Sequence, residues 1–553
     1  MSKPGKTSIF LAEEMTGAGS PRKLEKKMVA IYAIFLLLPM FAFQLVFFLN
    51  MHGMHYFKII PVWNDEVWWW SQVDGMIKYG APLGYMGYNG THAAVGTFGP
   101  WGVAPLLPYM LIGKIFGWEL HSMAYANVML LSIAGFVFCL LAKPDKKQIK
   151  WVFGLYLTSY ITITYSFTAM AEGHRYAVAI ILTGIALWLR EHSKDVRKLD
   201  WKTIAAYVLS LCFLFYAINV YLIFALMVPV FVWYILKGVK PSVRIVIAVI
   251  ATFVLSIAAY QLTGIYTAPY TTSTIETLLD VLHEQGVYAA LCTFLSVLFD
   301  NLKTVGLFYL VYSEAEYLQW YFLTYMVLFT VLLVMFVKKC ADEKQRGKGV
   351  KLTVLLNGNT FFALYLLAGF LIGYCALYTG SATTLCRGTN TGFLMVLFLF
   401  AMGDWDKDAE VKHFMTMRYI VLLFFFLGLS AIWRYHTMII DERIDNIPKR
   451  DVILAEKEKL EDVIEISPSK STWANTVAEY GWLDSLYMAL PSGAGSNYMI
   501  DNDVNEDAGY AVYLSTAEED VKKEWAEMLE KNDHELIYED DYFTVYKNNK
   551  VQE

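Results

Sequence analysis

Residues 61–75, "PVWNDEVWWWSQVDG", set two adjacent carboxylates, Asp65 and Glu66, beside a block of three tryptophans, shortly after a run of apolar side chains has ended. Asn64 or Asp65 is suited to cap a helix running from 66 to 79 and stopped by Gly80 and Pro82. On such a helix Trp69, Val73, Met76 and Ile77 fall on one side, with Glu66, Asp74 and Lys78 toward the other. The pattern predicts an amphipathic helix at the headgroup level of a membrane, where indole places an apolar body and a polar edge. The positive end of the helix dipole favours the ionised form of Asp65. An acidic pair at a helix start is by itself ordinary, so its meaning depends on where the chain puts it and on what gathers there.

The composition supplies the setting. Of 553 residues, 57% are hydrophobic and 17% charged, with a positive mean hydropathy, a balance that predicts a polytopic α-helical membrane protein. The net charge of -6 conceals a division: residues 435–553 hold 27 acidic against 11 basic side chains, leaving the preceding part net basic. The basic residues form short clusters between apolar runs and not one polar face, which argues against nucleic-acid binding. Six cysteines lie in or near apolar segments without metal-ligand spacing. The first apolar run, 29–50, follows "PRKLEKK" and reads as an uncleaved anchor with residues 1–28 as a cytoplasmic tail.

Runs of spanning length recur near 29–50, 120–142, 151–170, 176–190, 203–220, 221–237, 243–263, 319–337, 352–378, 388–403 and 418–434. The segment 99–118, "GPWGVAPLLPYMLIGKIFGW", is ambiguous, with internal prolines and Lys114. If it does not cross, "KPDKKQIK" at 143, "LREHSKDVRK" at 189, "KGVKPSVR" at 237, "KKCADEKQRGKGVK" at 338 and "DKDAEVKHFMTMR" at 406 all fall on the side of the N-terminal "PRKLEKK", as the positive-inside rule asks. The expectation is therefore eleven spans within 29–434 and a non-crossing helix at 101–116. Large outer loops follow at 51–119 and 264–318, and a soluble extracytoplasmic α/β domain at 435–553. In that domain "GYAVYLST", "EEDVKKEWAEMLEKN" and "HELIYEDDYFTVYK" read as strand, helix and strand pair.

Three groups of residues on the expected outer face carry chemistry. In "YGAPLGYMGYNGTHAAVGTFGPWG", glycine alternates with aromatic and small residues, and Tyr85, Tyr88 and His92 are candidates for positioning a sugar. His174 and Arg175 just before the run at 176, and Arg387 just before the run at 388, combine cations with helix N-termini, which suits a phosphate; lipid-facing snorkelling is the plain alternative. Glu276, Asp280, His283 and Glu284 share a helical face, read as solvated and not as a metal site.

These features together resemble a known group. A short cytoplasmic start, one span, and an acidic "DE" pair leading a helix in a large outer loop resemble the GT-C glycosyltransferases, among them the protein mannosyltransferases and the lipid A aminoarabinose transferase. "PWGVAPLLPYMLIGKIFG" is similar to their Pro-rich in-plane helix, and "MAEGHRYAVAI" to their outer-turn pattern of acid, Arg and Tyr-Ala, with His174 where that pattern has arginine. The "EKPP"-like lysine of their first loop is absent. The resemblance implies a polyprenyl-phosphate sugar donor, a glycan, lipid or protein acceptor, and transfer with inversion. It implies Asp65 as general base, Glu66 as its positioning partner or part of a cation site, and Glu172 and Tyr176 as substrate-positioning residues. No cofactor is required by this scheme, and a divalent cation is left open. The expected setting is a bacterial plasma membrane. The rival readings are a flippase or transporter of lipid-linked glycans, which usually carries ionisable groups deep in its spans, and a glycan polymerase or ligase, which shares the outer site.

Overall fold

The structure, a computed structural model, describes residues 24–37, 58–82, 86–87, 96–97, 101–158, 165, 168–267, 274–307, 316–345, 359–377, 382–402, 441–465, 477–480, 484–491, 496–497, 504, 506 and 508–551. In chain order the elements are α1 Lys26–Tyr32, α2 Asn64–Tyr79, β1 Met86–Gly87, α3 Leu107–Phe116, α4 Ser122–Ala142, α5 Lys146–Thr158, α6 Glu172–His192 and α7 Trp201–Val220. There follow a 3-10 turn Leu222–Met227, α8 Val228–Ile235, α9 Pro241–Gly264, α10 Thr274–Gln285, α11 Val287–Leu307, α12 Glu316–Gln345, α13 Asn359–Leu377 and α14 Ala382–Met402. The C-terminal part holds α15 Pro448–Val463, β2 Val477–Tyr480, β3 Ser496–Asn497, β4 Tyr510–Leu514, α16 Glu519–Lys531, β5 His534–Glu539 and β6 Phe543–Asn548.

The bundle has two chemically different ends. At one, Tyr32 donates to the Pro144 carbonyl (2.7 Å), Lys143 meets His192 (3.2 Å), Gln148 donates to the Met402 carbonyl (2.8 Å), and the Val196 amide donates to Lys237 (3.0 Å). These contacts gather the finish of α4, α6, α8 and α14 with the start of α5, α7 and α9. The clusters "KPDKKQIK", "LREHSKDVRK" and "KGVKPSVR" therefore share this basic end. Local chemistry sets the helix starts there. Asp145 Oδ1 accepts from the Lys147 and Gln148 amides while Gln148 Oε1 accepts from Asp145 N, and Asp200 Oδ1 accepts from Thr203 N (2.8 Å), each satisfying donors that a first turn leaves open.

The opposite end collects α2, α3, the start of α6, and the finish of α7, α9 and α13. The ten-residue α3 rises about 15 Å, half the thickness of a hydrocarbon core, as suits a helix that does not cross. It packs under α2, with Gly113 against Ile77 and Trp118.

Several expectations need correction. Among the described residues four helices, α4, α7, α9 and α11, are long and apolar enough to cross a membrane; the count of eleven is not confirmed, and the expected run 418–434 lies outside the described residues. The run 221–237 is no continuous α-helix: Tyr221 is extended, a 3-10 turn follows, and Pro229 sits in the first turn of α8, where its missing N–H costs nothing. The "AEGHRY" turn is helical from Glu172 onward. The segment 264–318, expected as a loop, contains α10 and α11. The Tyr260 hydroxyl donates to Glu276 (3.0 Å) and Asn301 donates to the Cys375 carbonyl (2.8 Å), which ties both helices to the α2 end.

The C-terminal α/β reading matches the structure closely. Strands β4, β6 and β5 form an antiparallel run with α16 between β4 and the β5–β6 hairpin, and β2 joins β4 in parallel, giving the order β2-β4-β6-β5. Helix α15, ahead of this sheet, docks on α2 and on the turn Ser485–Ala489. The short strand β3 pairs in parallel with β1, Met86 opposite Ser496, stitching the C-terminal domain to the segment after α2.

Candidate active site

Helix α2 begins at Asn64, with Trp63 at the N-cap, and turns out at Gly80 (φ +80°). An indole N–H cannot accept a hydrogen bond, so Trp63 is no cap of the usual kind. Glu66 does the work from inside the helix: its Oε2 accepts from the amides of Val62 (2.8 Å) and Trp63 (2.9 Å). Its Oε1 accepts from the Ala169 amide (2.7 Å), just ahead of α6, and Oε2 also receives Arg443 Nη1 at 2.5 Å. Both side chains of that ion pair are fully buried. Arg443 also stacks over the Trp63 ring at 4.8 Å.

The tryptophan block is not an interfacial belt. Trp68, Trp69 and Trp70 are each 4% exposed or less, and Asp74 is buried as well. The C-terminal domain covers the side of α2 that carries Trp63, Trp70, Asp74 and Lys78. Lys457 of α15 lies 5.1 Å from the Trp70 ring, Trp63 donates to Glu442 (3.2 Å), and Lys78 bridges Asp74 (3.2 Å) and Glu461 (4.0 Å). Burial lowers the Lys457 ammonium below its ordinary value, against the opposing pull of the Asp74 carboxylate.

Arg175, in the second turn of α6, lies among aromatic rings: Tyr221 at 4.7 Å, Trp101 at 4.8 Å and Trp69 at 5.9 Å from its guanidinium carbon. Glu172, one turn earlier, pairs with it at 3.3 Å. Tyr221 is there because α7 ends at Val220 with Tyr221 extended (φ -160°), so the ring turns back across the end of the bundle. It also meets Tyr374 (5.8 Å between centroids), and Gly388 lies so close on the Tyr374 ring that a Cβ would collide with it. The chain of contacts thus runs from Trp69 on α2 through Arg175, Tyr221 and Tyr374 to Gly388 on α14.

His174 turns the other way. Its Nδ1 donates to the Pro105 carbonyl (3.0 Å), which can only accept, leaving Nε2 to accept from the Tyr216 hydroxyl (2.9 Å). Both ring nitrogens are thereby engaged by protein groups in a site 3% exposed. Below it, Asn127 takes the Tyr109 hydroxyl on its oxygen and donates to the carbonyls of Thr168 (2.8 Å) and Met170 (2.9 Å), fixing the bend before α6. Gly173 passes directly against Asn127, where any Cβ would clash.

The structure therefore brings Glu66, Glu172 and Arg175 to one end of the bundle, with Asp65 half-buried immediately before Glu66 in the first turn of α2. Tyr176 is 1% exposed and packs edge-on to Tyr165, too enclosed to reach a substrate. Arg387 lies in the second turn of α14, which begins at Ala382, earlier than expected; its side chain is outside the described residues. Tyr85, Tyr88 and His92 are outside them too. Trp101, Tyr221 and Arg443 were not anticipated.

No protein-family model matches the sequence, and no curated protein matches it. Solved structures do. ArnT from Cupriavidus metallidurans bound to undecaprenyl phosphate is 10% identical, with 93% of this chain and 97% of that one covered, at a TM-score of 0.46. The oligosaccharyltransferase of Archaeoglobus fulgidus tethered with an acceptor peptide is 12% identical, covering 89% and 70%, at 0.44. The structural neighbours are GT-C enzymes. AglB from the same archaeon, in complex with an inhibitory peptide and a dolichol-phosphate, covers 92% and 74% at a TM-score of 0.42 and 12% identity.

Proposed function

We propose that the protein is an inverting glycosyltransferase that moves a sugar from a polyprenyl-phosphate carrier to a cell-envelope acceptor on the outer face of the membrane. The observation that carries the reading is the contact between the acidic helix and the aromatic-lined guanidinium: Trp69 against Arg175 at 5.9 Å, reinforced by Glu66 on the Ala169 amide at 2.7 Å. A carboxylate start and a cation for phosphate thereby occupy one end of the bundle. The basic clusters at 143, 189 and 237 lie at the other end, which supports placing the site outside and the N-terminus in the cytoplasm.

In this scheme Asp65 accepts the proton of the acceptor hydroxyl as its oxygen attacks the anomeric carbon. The bond from that carbon to the phosphate oxygen breaks, and its electron pair leaves on the polyprenyl phosphate, whose charge Arg175 and Arg387 stabilise. One displacement without a carboxylate nucleophile inverts the anomeric centre, as in single-step glycosidases. Glu66, already holding four hydrogen bonds, positions the helix start. His174, with both nitrogens engaged by Pro105 and Tyr216, is given a structural role and not phosphate binding.

The test is transfer from a defined polyprenyl-phosphate sugar by purified protein in liposomes. Product formation abolished in Asp65→Asn, with the variant still folded, is the expected result. Transport of the carrier across the bilayer without any glycosylated product would replace this reading with a flippase.

A further inference from the structure

The Glu66–Arg443 pair joins residues 377 positions apart, one in the first turn of α2 and the other in the segment ahead of α15. Neither side chain touches water. A buried carboxylate beside three accepted amide bonds is stable as an anion only with a cation at hand, and Arg443 is the cation that meets it. The same segment meets α2 at its start, middle and end, Glu442 on Trp63, Lys457 on Trp70 and Glu461 on Lys78, and Arg450 pairs with Glu119 ahead of α4 at 3.7 Å. Asp65 is the residue immediately before Glu66, so its backbone is set by whatever sets Glu66.

We infer that Arg443 is a positioning residue for the transfer reaction: by neutralising Glu66 it fixes the first turn of α2 and with it the carboxylate of Asp65, so that the C-terminal domain assembles the site and does not merely cover it. This deepens the reading above and rests on it. Arg443 makes no contact with substrate in this scheme; it acts through Glu66 alone. A displacement of about 1 Å at a reacting group costs on the order of 100-fold in rate, and a loss of that size is expected when the pair is broken.

The test compares Arg443→Met, Arg443→Lys and the double variant Glu66→Gln/Arg443→Met with the unmodified protein, in one membrane preparation. Two readouts are taken: transfer kinetics with a polyprenyl-phosphate sugar, and amide hydrogen exchange in peptides containing Val62, Trp63 and Ala169. The single Met variant should lose kcat about 100-fold with KM for the lipid donor unchanged, and its three amides should exchange faster. Lysine should restore part of both. The double variant should restore most of both, because a neutral glutamine still accepts from the same amides without needing a cation. Unchanged kcat in Arg443→Met, a rise in KM in place of a fall in kcat, or a loss that the double variant fails to relieve would each overturn the inference. Should the unmodified protein transfer no sugar, the glycosyltransferase reading fails, and the exchange data alone then decide whether Arg443 holds the α2 start: unprotected amides in the Met variant keep it, and unchanged exchange removes it.

Discussion

Two arginines show how differently the ends of this bundle treat the same chemistry. Arg197 at the basic end pairs with Asp195 at 2.6 Å and is 60% exposed; Arg175 at the other end pairs with Glu172 at 3.3 Å and is 7% exposed. The shorter ion pair is the less consequential one, since water screens it and each partner is easily solvated alone. The longer one sits among three aromatic rings, where both partners are 7% exposed and water does not screen it. Distance alone therefore ranks these sites in the wrong order, and burial ranks them in the right one.

The sharpest way to break the comparison is at the base. Asp65→Asn keeps size and helix start but removes proton acceptance, and transfer should fall by about 10²–10⁴-fold with the folded state unaltered, measured by product formation against detergent melting. Turnover at the original rate would remove the catalytic assignment. Next in size is Glu66→Ala, which strands Arg443 in a dry site and should destabilise the protein by about 3–5 kcal/mol, read as a lowered melting temperature together with lost activity. Arg175→Lys keeps the charge and loses the planar group that packs on Trp101 and Tyr221; KM for the lipid donor should rise roughly tenfold, since cation–π contacts in desolvated sites are worth on the order of 1–2 kcal/mol.

A smaller effect concerns pH. Lys457 has a folded value lowered by burial, so the folded form binds fewer protons than the unfolded chain between that lowered value and the ordinary lysine range. Its contribution to docking is present above the ordinary value and lost as pH falls through the lowered one. Protection of α15 from proteolysis should accordingly increase with pH across that window, and Lys457→Met should flatten the dependence. Smallest of all, Arg197→Ala at the basic end should leave melting temperature and transfer rate where they are.

Much of this was readable in the chain and some of it was not, for physical reasons. The strand, helix and hairpin of the C-terminal domain follow from local periodicity and turn residues, which is why 509–548 matched closely. The pairing of the "DE" helix with "EGHR" was legible because both flank apolar runs and the alternation of basic clusters places them at one end. Arg443 was one of 11 basic residues in an acidic tail, with nothing local to mark it, because its partner lies 377 residues away. Tyr221 was absorbed into an apolar run, since hydropathy does not record that the backbone extends there before Pro229. The tryptophans were assigned to headgroups because indole is equally at home under a protein cap, and only tertiary structure separates the two environments.

The parallel pairing of Met86–Gly87 with Ser496–Asn497, like the Glu66–Arg443 bond, has a temporal side. Ribosomes deliver the bundle first. Until residue 443 and the strand at 496 have been made, the carboxylate of Glu66 has no counter-charge from Arg443 and β1 no neighbour in β3. A half-made copy would thus lack the lock on the first turn of α2, which closes only when the residues from 443 onward fold back over the start of the chain.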